Sequence, residues 1–480
     1  MSWHVVDRWR GPGGYGELLV LAGPLMLTTG AWTVQYFIDA MFLAWYSPEA
    51  VAAVLPAGVF VSTVMSVFIG TAGYSHTFVA QYAGSGRTSE IAPIVWQGLY
   101  LAVLGGLVCS AASFAAGPLF RLTGHEPRIA ALEQTYVHIT CLGAAPAILA
   151  ASLAGFFSGT GRTWPVMWVN LLASATNLGL DYLLIFGRFG FRELGVTGAA
   201  LATLASNVVA VLAYLLLMAR RGTGQPFAVF HGWQYRKKLF GRLVRFGFPN
   251  GVHFLIDVGG FTVFVMLIGR LGETAAAASN IAFNVNTLAF LPMVGMGIAV
   301  SILVARYLGQ ERPEIAARSV YSGFHLTVIY MGGIALLYLL VPDLFIAPFG
   351  LRADPATFEP IHRQTVTLLR FVAFYSLFDT MNVIFVGAIK GAGDTRFVMR
   401  AVATVAVGGL VLPCIIALVP LGRGLLCAWT ILTGYVIALG LVFLGRFLGG
   451  AWRTMRVIEE HGGVLPPSVP RNEATQFELT

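Results

Sequence analysis

The chain has 480 residues, of which 57% are hydrophobic and 11% are charged, and its mean hydropathy is +0.76. An average soluble domain carries roughly 25% charged residues, so this composition excludes an ordinary soluble protein and predicts a polytopic membrane protein. The net charge of +8 does not indicate a nucleic-acid partner. The Lys and Arg residues are spread over loops between apolar segments, where they commonly fix topology.

Twelve apolar segments follow one another along the chain. They cover approximately residues 18–44, 50–80, 93–118, 129–157, 164–187, 195–219, 242–269, 275–305, 314–341, 364–389, 397–419 and 424–446. Each is long enough to cross roughly 30 Å of hydrocarbon as a helix. Backbone polar groups in lipid must be satisfied locally, and these segments lack the alternation of barrel strands, so we predict an all-α membrane protein. The first segment shows no sign of being a cleaved signal peptide.

The distribution of basic residues predicts the orientation. With an even number of spans, both termini lie on one side, and 21 of the 30 Lys and Arg residues fall on that side. Because positively charged loops are retained in the cytoplasm, both termini are expected to be cytoplasmic.

The second half of the chain repeats the first. At an offset of 225, Pro24 aligns with Pro249, and at an offset of 232, GTGRT at 159–163 aligns with GAGDT at 391–395. Repeats of equal orientation predict two six-helix lobes related by an axis along the membrane normal, with a central cavity between them. The expected divisions are a cytoplasmic N-terminus at 1–17, the N-lobe at 18–219, a cytoplasmic linker at 220–241, the C-lobe at 242–446 and a cytoplasmic tail at 447–480. The tail mixes charge, Pro and Gly from Gly449 onward and is expected to be disordered.

Four aspartates lie inside apolar segments: Asp39, Asp181, Asp257 and Asp379. A carboxylate at the middle of a membrane helix costs from a few to more than about ten kcal/mol, so it is retained mainly where it has a partner or a function. Asn177 lies four residues before Asp181, and residues at this spacing share a helix face. The alternative for each acid is a structural hydrogen bond to a neighbouring helix, worth about 1 kcal/mol.

Paired segments make the sequence similar to a known family. FVAQYAGSG at 78–86 and LVARYLGQE at 303–311 close the second helix of each half, and GTGRT and GAGDT follow the fourth. Their order and the helix count resemble the multidrug and toxic compound extrusion (MATE) family, in its bacterial NorM/DinF-like branch, over about residues 15–446. The resemblance implies a secondary antiporter that expels amphiphilic, often cationic compounds in exchange for Na+ or H+. We accordingly expect small-molecule substrates, surrounding membrane lipid, no cofactor and a monomer.

The resemblance also implies site residues. Carried over to this sequence, the family's N-lobe cation site matches Asp39 in the first helix, Asn177 and Asp181 in the fifth, and a hydroxyl in the sixth that Thr203 fits best. The acids of its second lobe match Asp257 and Asp379, which would serve coupling or substrate binding. Many bacterial relatives carry glutamate where this chain has Asp257, an aspartate with a shorter arm.

The chemistry of these residue types agrees with that role. Carboxylate, amide and hydroxyl oxygens are ligands for a hard cation, and a buried carboxylate beside a second one also binds a proton. At the offset of 232, the equivalents of Asn177 and Asp181 are Gly409 and Pro413, which offer no such side chains. A single cation site in the N-lobe is therefore the simpler hypothesis.

Other residues are assigned from position alone. Helix position suggests four residues for the wall of the substrate cavity: Gln35, Tyr36, Phe60 and Met293. Pro24 permits a kink in the first helix, which is either static or couples ion binding to the cavity. Histidines in or near the spans, His253 among them, show no ligand spacing and are interpreted as structural. No metal site beyond a possible Na+ site is indicated.

Two alternatives remain beside an antiporter. A lipid-linked-sugar flippase of the related superfamily would often have about fourteen spans and an Arg-rich cavity to meet phosphates, whereas Arg is scarce in these spans. A membrane-embedded enzyme would need convergent His/Asp, His/Glu or Ser/Lys groups, and none stands out. The sequence contains no GxxxxGK[ST] segment, so it does not predict an ATP-driven pump within this chain.

Overall fold

The structure is a computed structural model that describes residues 8–122, 126–220, 232–350 and 355–459. Within these ranges every regular element is a helix, and the helices are numbered α1–α12 by membrane span. The first six are α1 (Tyr15–Tyr46), α2 (Pro48–Gly73 continued by Ser75–Gly84), α3 (Ile91–Leu122), α4 (Pro127–Leu142 and Ala144–Gly159), α5 (Thr163–Phe186) and α6 (Val196–Arg220).

The second six spans begin after a connection whose residues 221–231 lie outside the described part of the chain. They are α7 (Lys237–Gly269), α8 (Glu273–Gly309), α9 (Pro313–Leu340), α10 (Pro355–Ala392), α11 (Thr395–Val405, a π-helical turn Ala406–Val411, and Leu412–Leu418) and α12 (Leu425–Leu448). A short helix, Pro342–Gly350, follows α9, and a 3-10 turn, Ala451–Thr454, follows α12.

The helix count agrees with the hydropathy pattern. Eleven helices in the described ranges are long and apolar enough to cross a membrane, and the two segments of α4, bent by 44°, make a twelfth span if taken together. The bend lies at Gly143, shortly before Pro146, whose missing N–H leaves the Leu142 carbonyl without its usual partner. Pro413 likewise provides no N–H for Gly409 at the π-helical turn of α11. The predicted all-α membrane architecture is confirmed.

The two halves meet through reciprocal contacts. Gly84 of α2 packs on the backbone carbonyl of Arg306 in α8, and Gly309 of α8 packs on the carbonyl of Gln81 in α2, so closely that a Cβ at either glycine would overlap the oxygen. The two contacts are related by the first offset of the internal repeat. A second reciprocal pair obeys the same offset: Gly70 against Gly251, and Gly295 against Met26. Reciprocity of this kind is what a two-fold relation between similar lobes produces, so the predicted two-lobe fold is confirmed.

The lobes are joined at one end of the molecule. There, a single apolar core includes residues of both lobes, such as Phe78 of α2 and Val304 of α8. Towards the other end the cores are separate, with Leu43 and Ile185 in the N-lobe cluster and Phe264 in the C-lobe cluster. The joined end is the one that carries most of the basic loops. We infer that the cleft between the lobes opens at the opposite end.

The first part of the C-terminal tail is ordered, contrary to the expectation of disorder. Residues 449–459, here called the strap, lie against the joined end of both lobes. Trp452 is buried, stacks on Phe447 at 5.0 Å between ring centroids and donates its Nε1–H to the Phe447 carbonyl at 2.9 Å. Val457 is also buried, and its backbone N–H donates to Gln81 Oε1 at 2.9 Å. The apolar side chains of this segment explain why it docks, despite the charge around them; residues 460–480 lie outside the described ranges.

Candidate ion and substrate site

A polar cluster lies where α1 packs against α5. Asn177 and Asp181 follow each other by one turn on α5 and are 0% and 1% exposed. Gln35 and Asp39 are one turn apart on α1. Gln35 Nε2 donates to Asn177 Oδ1 at 2.7 Å, and Gln35 Oε1 accepts from Ser174 Oγ at 2.7 Å. The same four-residue spacing on both helices therefore places two polar pairs opposite each other.

The carboxyl groups of Asp39 and Asp181 are in contact with each other. Two charged carboxylates this close repel strongly, so the pair is stable when it shares a proton or holds a cation. Asp39 Oδ1 and Asp181 Oδ1 are buried and have no hydrogen-bond partner among the described residues. Buried oxygens without a donor cost free energy, and a bound cation or proton would remove that cost.

Two residues of this polar cluster were not predicted from the sequence. Tyr136 of α4 lies within electrostatic reach of Asp39, Asp181 and Tyr36. Nothing in the sequence pointed to Tyr136, because its approach depends on how α4 packs. Ser174 could have been found, since it lies three residues before Asn177 and so on the same face of α5.

Thr203 is not joined to the acid pair by any contact that the structure records. Its Oγ1 donates to the backbone carbonyl of Ala199, one turn earlier on α6, at 3.1 Å. Its role as a cation ligand stays a prediction.

The C-lobe acids belong to a chain of polar contacts between α7 and α10. His253 Nε2 lies 3.4 Å from Asp257 Oδ2, and Lys390 Nζ lies 3.1 Å from His253 Nδ1. Asp257 is within electrostatic reach of both Lys390 and Asp379. Asp379 Oδ1 accepts from Asn382 Nδ2, one turn later, at 3.3 Å. The Asp257 carboxylate therefore has the Lys390 ammonium group nearby. No recorded contact gives the Asp39 and Asp181 pair a comparable Lys or Arg.

The structure changes the sequence-based interpretation of two residues in this chain of polar contacts. Lys390 is one of the 21 basic residues that the sequence assigns to the cytoplasmic side, yet it lies inside α10 and is partly buried. His253 is interpreted as structural from the sequence, yet its ring lies between the Asp257 carboxylate and the Lys390 ammonium group. The spacing of His253 and Asp257 is the same i, i+4 spacing that singled out Asn177 and Asp181, so the signal was present.

The residues suggested for the cavity wall have different surroundings. Tyr36 is 75% exposed, and Phe60 is half-buried with its ring edge-on to Phe120 at 6.1 Å. Gln35 is engaged with Asn177 and Ser174, as described above. Met293 is 1% exposed within the C-lobe core, so it does not line an open cavity in this structure.

Pro24 does not interrupt α1. The helix runs continuously through it, and Thr28 Oγ1 donates to the Pro24 carbonyl at 2.9 Å.

Sequence comparison identifies the family. A profile described as MatE matches residues 24–183 and 249–415, once in each lobe. The chain belongs to the MatE family. The starts of the two matched regions, 24 and 249, are related by the first offset of the internal repeat, and their ends, 183 and 415, are related by the second.

Individual relatives cover most of the chain. A probable multidrug resistance protein NorM of Bradyrhizobium diazoefficiens is 30% identical over 399 residues, 81% of this chain and 83% of that protein. A protein of the same name from Thermotoga maritima is 27% identical over 447 residues, 92% of this chain and 94% of that protein. A solved outward-facing structure of a multidrug resistance MATE family transporter of the MOP superfamily is similar with a TM-score of 0.81 and 20% identity, covering 93% of this chain and 98% of that one. The protein is thus a multi-pass membrane transporter and not an enzyme.

Proposed function

We propose that the protein is a secondary antiporter that exports amphiphilic, cationic drugs or metabolites across the inner membrane in exchange for Na+ or H+. The observation that carries this proposal is the buried contact between Asp39 and Asp181, with one oxygen of each carboxyl unpartnered among the described residues. The names of the NorM relatives support a multidrug substrate range.

The position of Asp39 on α1 supplies a route from ion binding to lobe movement. The same helix carries Thr29, whose Oγ1 donates to the Leu291 carbonyl of α8 at 3.2 Å, and Met26, which packs on Gly295. A cation or proton on the acid pair removes the repulsion that pushes α1 from α5. Ion binding therefore favours one placement of α1, and through it one arrangement of the lobes.

The two lobes are not equivalent as ion sites, and the N-lobe is the better candidate. In the C-lobe, His253 and Lys390 place a base and an ammonium group beside Asp257. The C-lobe equivalents of Asn177 and Asp181 are Gly409, in the π-helical turn of α11, and Pro413. In the C-lobe, a coupling ion would compete with the Lys390 ammonium group for Asp257. In the N-lobe, no recorded contact places a Lys or Arg beside Asp39 or Asp181, so the ion would meet no such competitor among the described residues. We assign Asp257 and Asp379 to substrate range or affinity.

The energy source is tested with purified protein in liposomes, with sodium and proton gradients imposed one at a time. We expect export of a cationic dye to follow one of the gradients and to continue when ATP is absent. Movement of the dye only when ATP is supplied would overturn the antiporter proposal.

The coupling site is tested with Asp181→Asn, which keeps the side-chain size and removes the charge. At equal membrane abundance, we expect gradient-driven export to fall at least about tenfold, as loss of about 1.4 kcal/mol of coupling would require. Asp379→Asn is the matched control and should mainly change the apparent affinity for substrate. Wild-type export by Asp181→Asn together with lost export by Asp379→Asn would move the coupling site to the C-lobe.

A further inference from the structure

A second candidate site lies outside the cleft, at the joined end of the molecule. A cavity of about 240 Å³, open on one side, is lined by the first turns of α7, by the turn between α10 and α11 with the first turn of α11, and by the strap. Three arginines, one each from α7, the start of α11 and the strap, line it: Arg245, Arg396 and Arg456. They come together only in the folded chain, since they lie on segments that are far apart in the sequence.

The positive charge of this cavity is not neutralised from within. Its one acid, Asp394, is already held by Arg446, whose Nε and Nη2 donate to Asp394 Oδ2 at 2.9 and 2.7 Å. Arg456 approaches the exposed Glu311 at 3.3 Å. The guanidinium of Arg245 lies over the ring of its neighbour Phe246, and Arg396 makes no ion pair that the structure records in the described ranges. An anion entering the cavity would therefore meet cations that are largely free to bind it.

The chemistry of the lining favours a phosphate group. Guanidinium forks match phosphate oxygens and donate two hydrogen bonds at once. The helix of α11 begins at Thr395 beside the cavity, and the free N–H groups of a first helical turn add to anion binding. Basic pockets between membrane helices on the cytoplasmic side bind the headgroups of anionic phospholipids.

We propose that this cavity binds a phosphate group, carried either by an anionic phospholipid headgroup or by a soluble phosphate. Because Arg456 and Met455 belong to the strap, the bound anion would also hold the strap to α7 and α11. Neither role depends on which ion drives transport.

The proposal is tested on the purified full-length protein. Phosphatidylglycerol, phosphatidylethanolamine and inorganic phosphate are added separately, and thermal unfolding and bound mass are followed by intrinsic fluorescence and native mass spectrometry. A ligand that binds only the folded state raises the unfolding temperature. We expect one tightly retained anion and a rise in unfolding temperature with phosphatidylglycerol but not with phosphatidylethanolamine. A rise with inorganic phosphate alone would instead identify the soluble source of the same group.

The variant with Arg245→Gln and Arg396→Gln should need at least tenfold more of the active ligand for the same rise. Arg453→Gln is the matched control, because Arg453 is an exposed arginine of the same strap that does not line the cavity. Both substituted residues are exposed, so the double variant should fold; if it is not recovered, Arg396→Gln alone should need at least threefold more ligand. An unchanged ligand requirement in the variant recovered, or no rise with any of the three additions, would overturn the proposal.

Discussion

Gln81 and Arg306 occupy equivalent positions in the two repeats. Each contacts the Gly-x-Gly turn of the opposite lobe, which lies at 391–393 for Gln81 and at 159–161 for Arg306. Gln81 is buried and donates its Nε2 to the Gly391 carbonyl at 3.2 Å. Arg306 reaches Glu17 at 3.6 Å and lies against Gly161, where a side chain would collide with the guanidinium. The paired segments that resemble the MATE family are thus the residues that close the joined end of the lobes.

Substitution of Gly84 by alanine should weaken this closure. The added methyl would overlap the Arg306 carbonyl, which is backbone and cannot rotate away. Overpacking of this kind costs typically about 1–3 kcal/mol, enough to shift the populations of joined and separated lobes about five-fold or more. Spin labels at Ser85→Cys and Gln310→Cys, on opposite lobes, should report longer distances in Gly84→Ala by double electron–electron resonance.

Gly73→Ala, on the same helix, is the control for this change. A Cβ at Gly73 meets no atom within 4 Å, so its distance distribution should match that of the parent protein. Equal distributions for Gly84→Ala and the parent would show that the Gly84 contact does not hold the lobes together.

Among the elements, the strap connects the lobes through its last described residue. Glu459 forms ion pairs with Arg87 of the N-lobe, at 3.6 Å, and with Arg242 of the C-lobe, and its Oε2 accepts from the Tyr82 hydroxyl at 3.3 Å. Burial by itself raises the pKa of Glu459, but the Arg242 charge and the hydrogen bonds from the residue's own backbone, Arg242 and Tyr82 together outweigh burial, and the pKa lies below its ordinary value of 4.5. A carboxylate with a lowered pKa stabilises the docked strap above pH 4.5, and this contribution is lost as pH falls through the lower pKa.

Glu459→Gln should therefore release the strap at neutral pH. A partly exposed ion pair contributes about 0–1 kcal/mol, so the released fraction should rise up to about fivefold. Proteolysis of the strap near Arg453 measures this fraction. Cleavage of the wild type should speed up below pH 4.5 as Glu459 is protonated, whereas cleavage of Glu459→Gln should lack this pH step.

Glu314→Gln removes an exposed acid at the start of α9 and should leave strap cleavage unchanged at every pH. A pH step of equal size in Glu459→Gln and the wild type would assign the acid sensitivity to another group.

At the scale of the whole molecule, the prediction concerns which end faces which side of the membrane. It combines two observations: the lobes have separate cores at one end only, and most basic residues lie in loops at the joined end. The joined end should face the cytoplasm and the open end the outside. Phe189, between α5 and α6, is 87% exposed, so Phe189→Cys should react with an impermeant thiol reagent in intact cells. Glu314→Cys, and tags at either terminus or within 222–224, should be reached only after the membrane is permeabilised. External labelling of any of these cytoplasmic positions would overturn the twelve-span topology.

Linear patterns in the sequence were sufficient for the architecture. Hydrophobic length predicted the twelve spans, because a helix that crosses lipid must be apolar over a fixed number of residues. The internal repeat predicted the two lobes, and the spacing of Asn177 and Asp181 predicted one side of the candidate site, because both depend only on distance along the chain.

Only the tertiary structure decided which helix faces meet. The contacts of Gln35 with Asn177 and of Lys390 with His253 join residues 142 and 137 positions apart, so they depend on how each helix is rotated and packed. The strap is the extreme case: its contact between Val457 and Gln81 spans 376 positions. Composition made that segment look disordered, and its few apolar side chains bind because a surface shaped by both lobes is present to receive them.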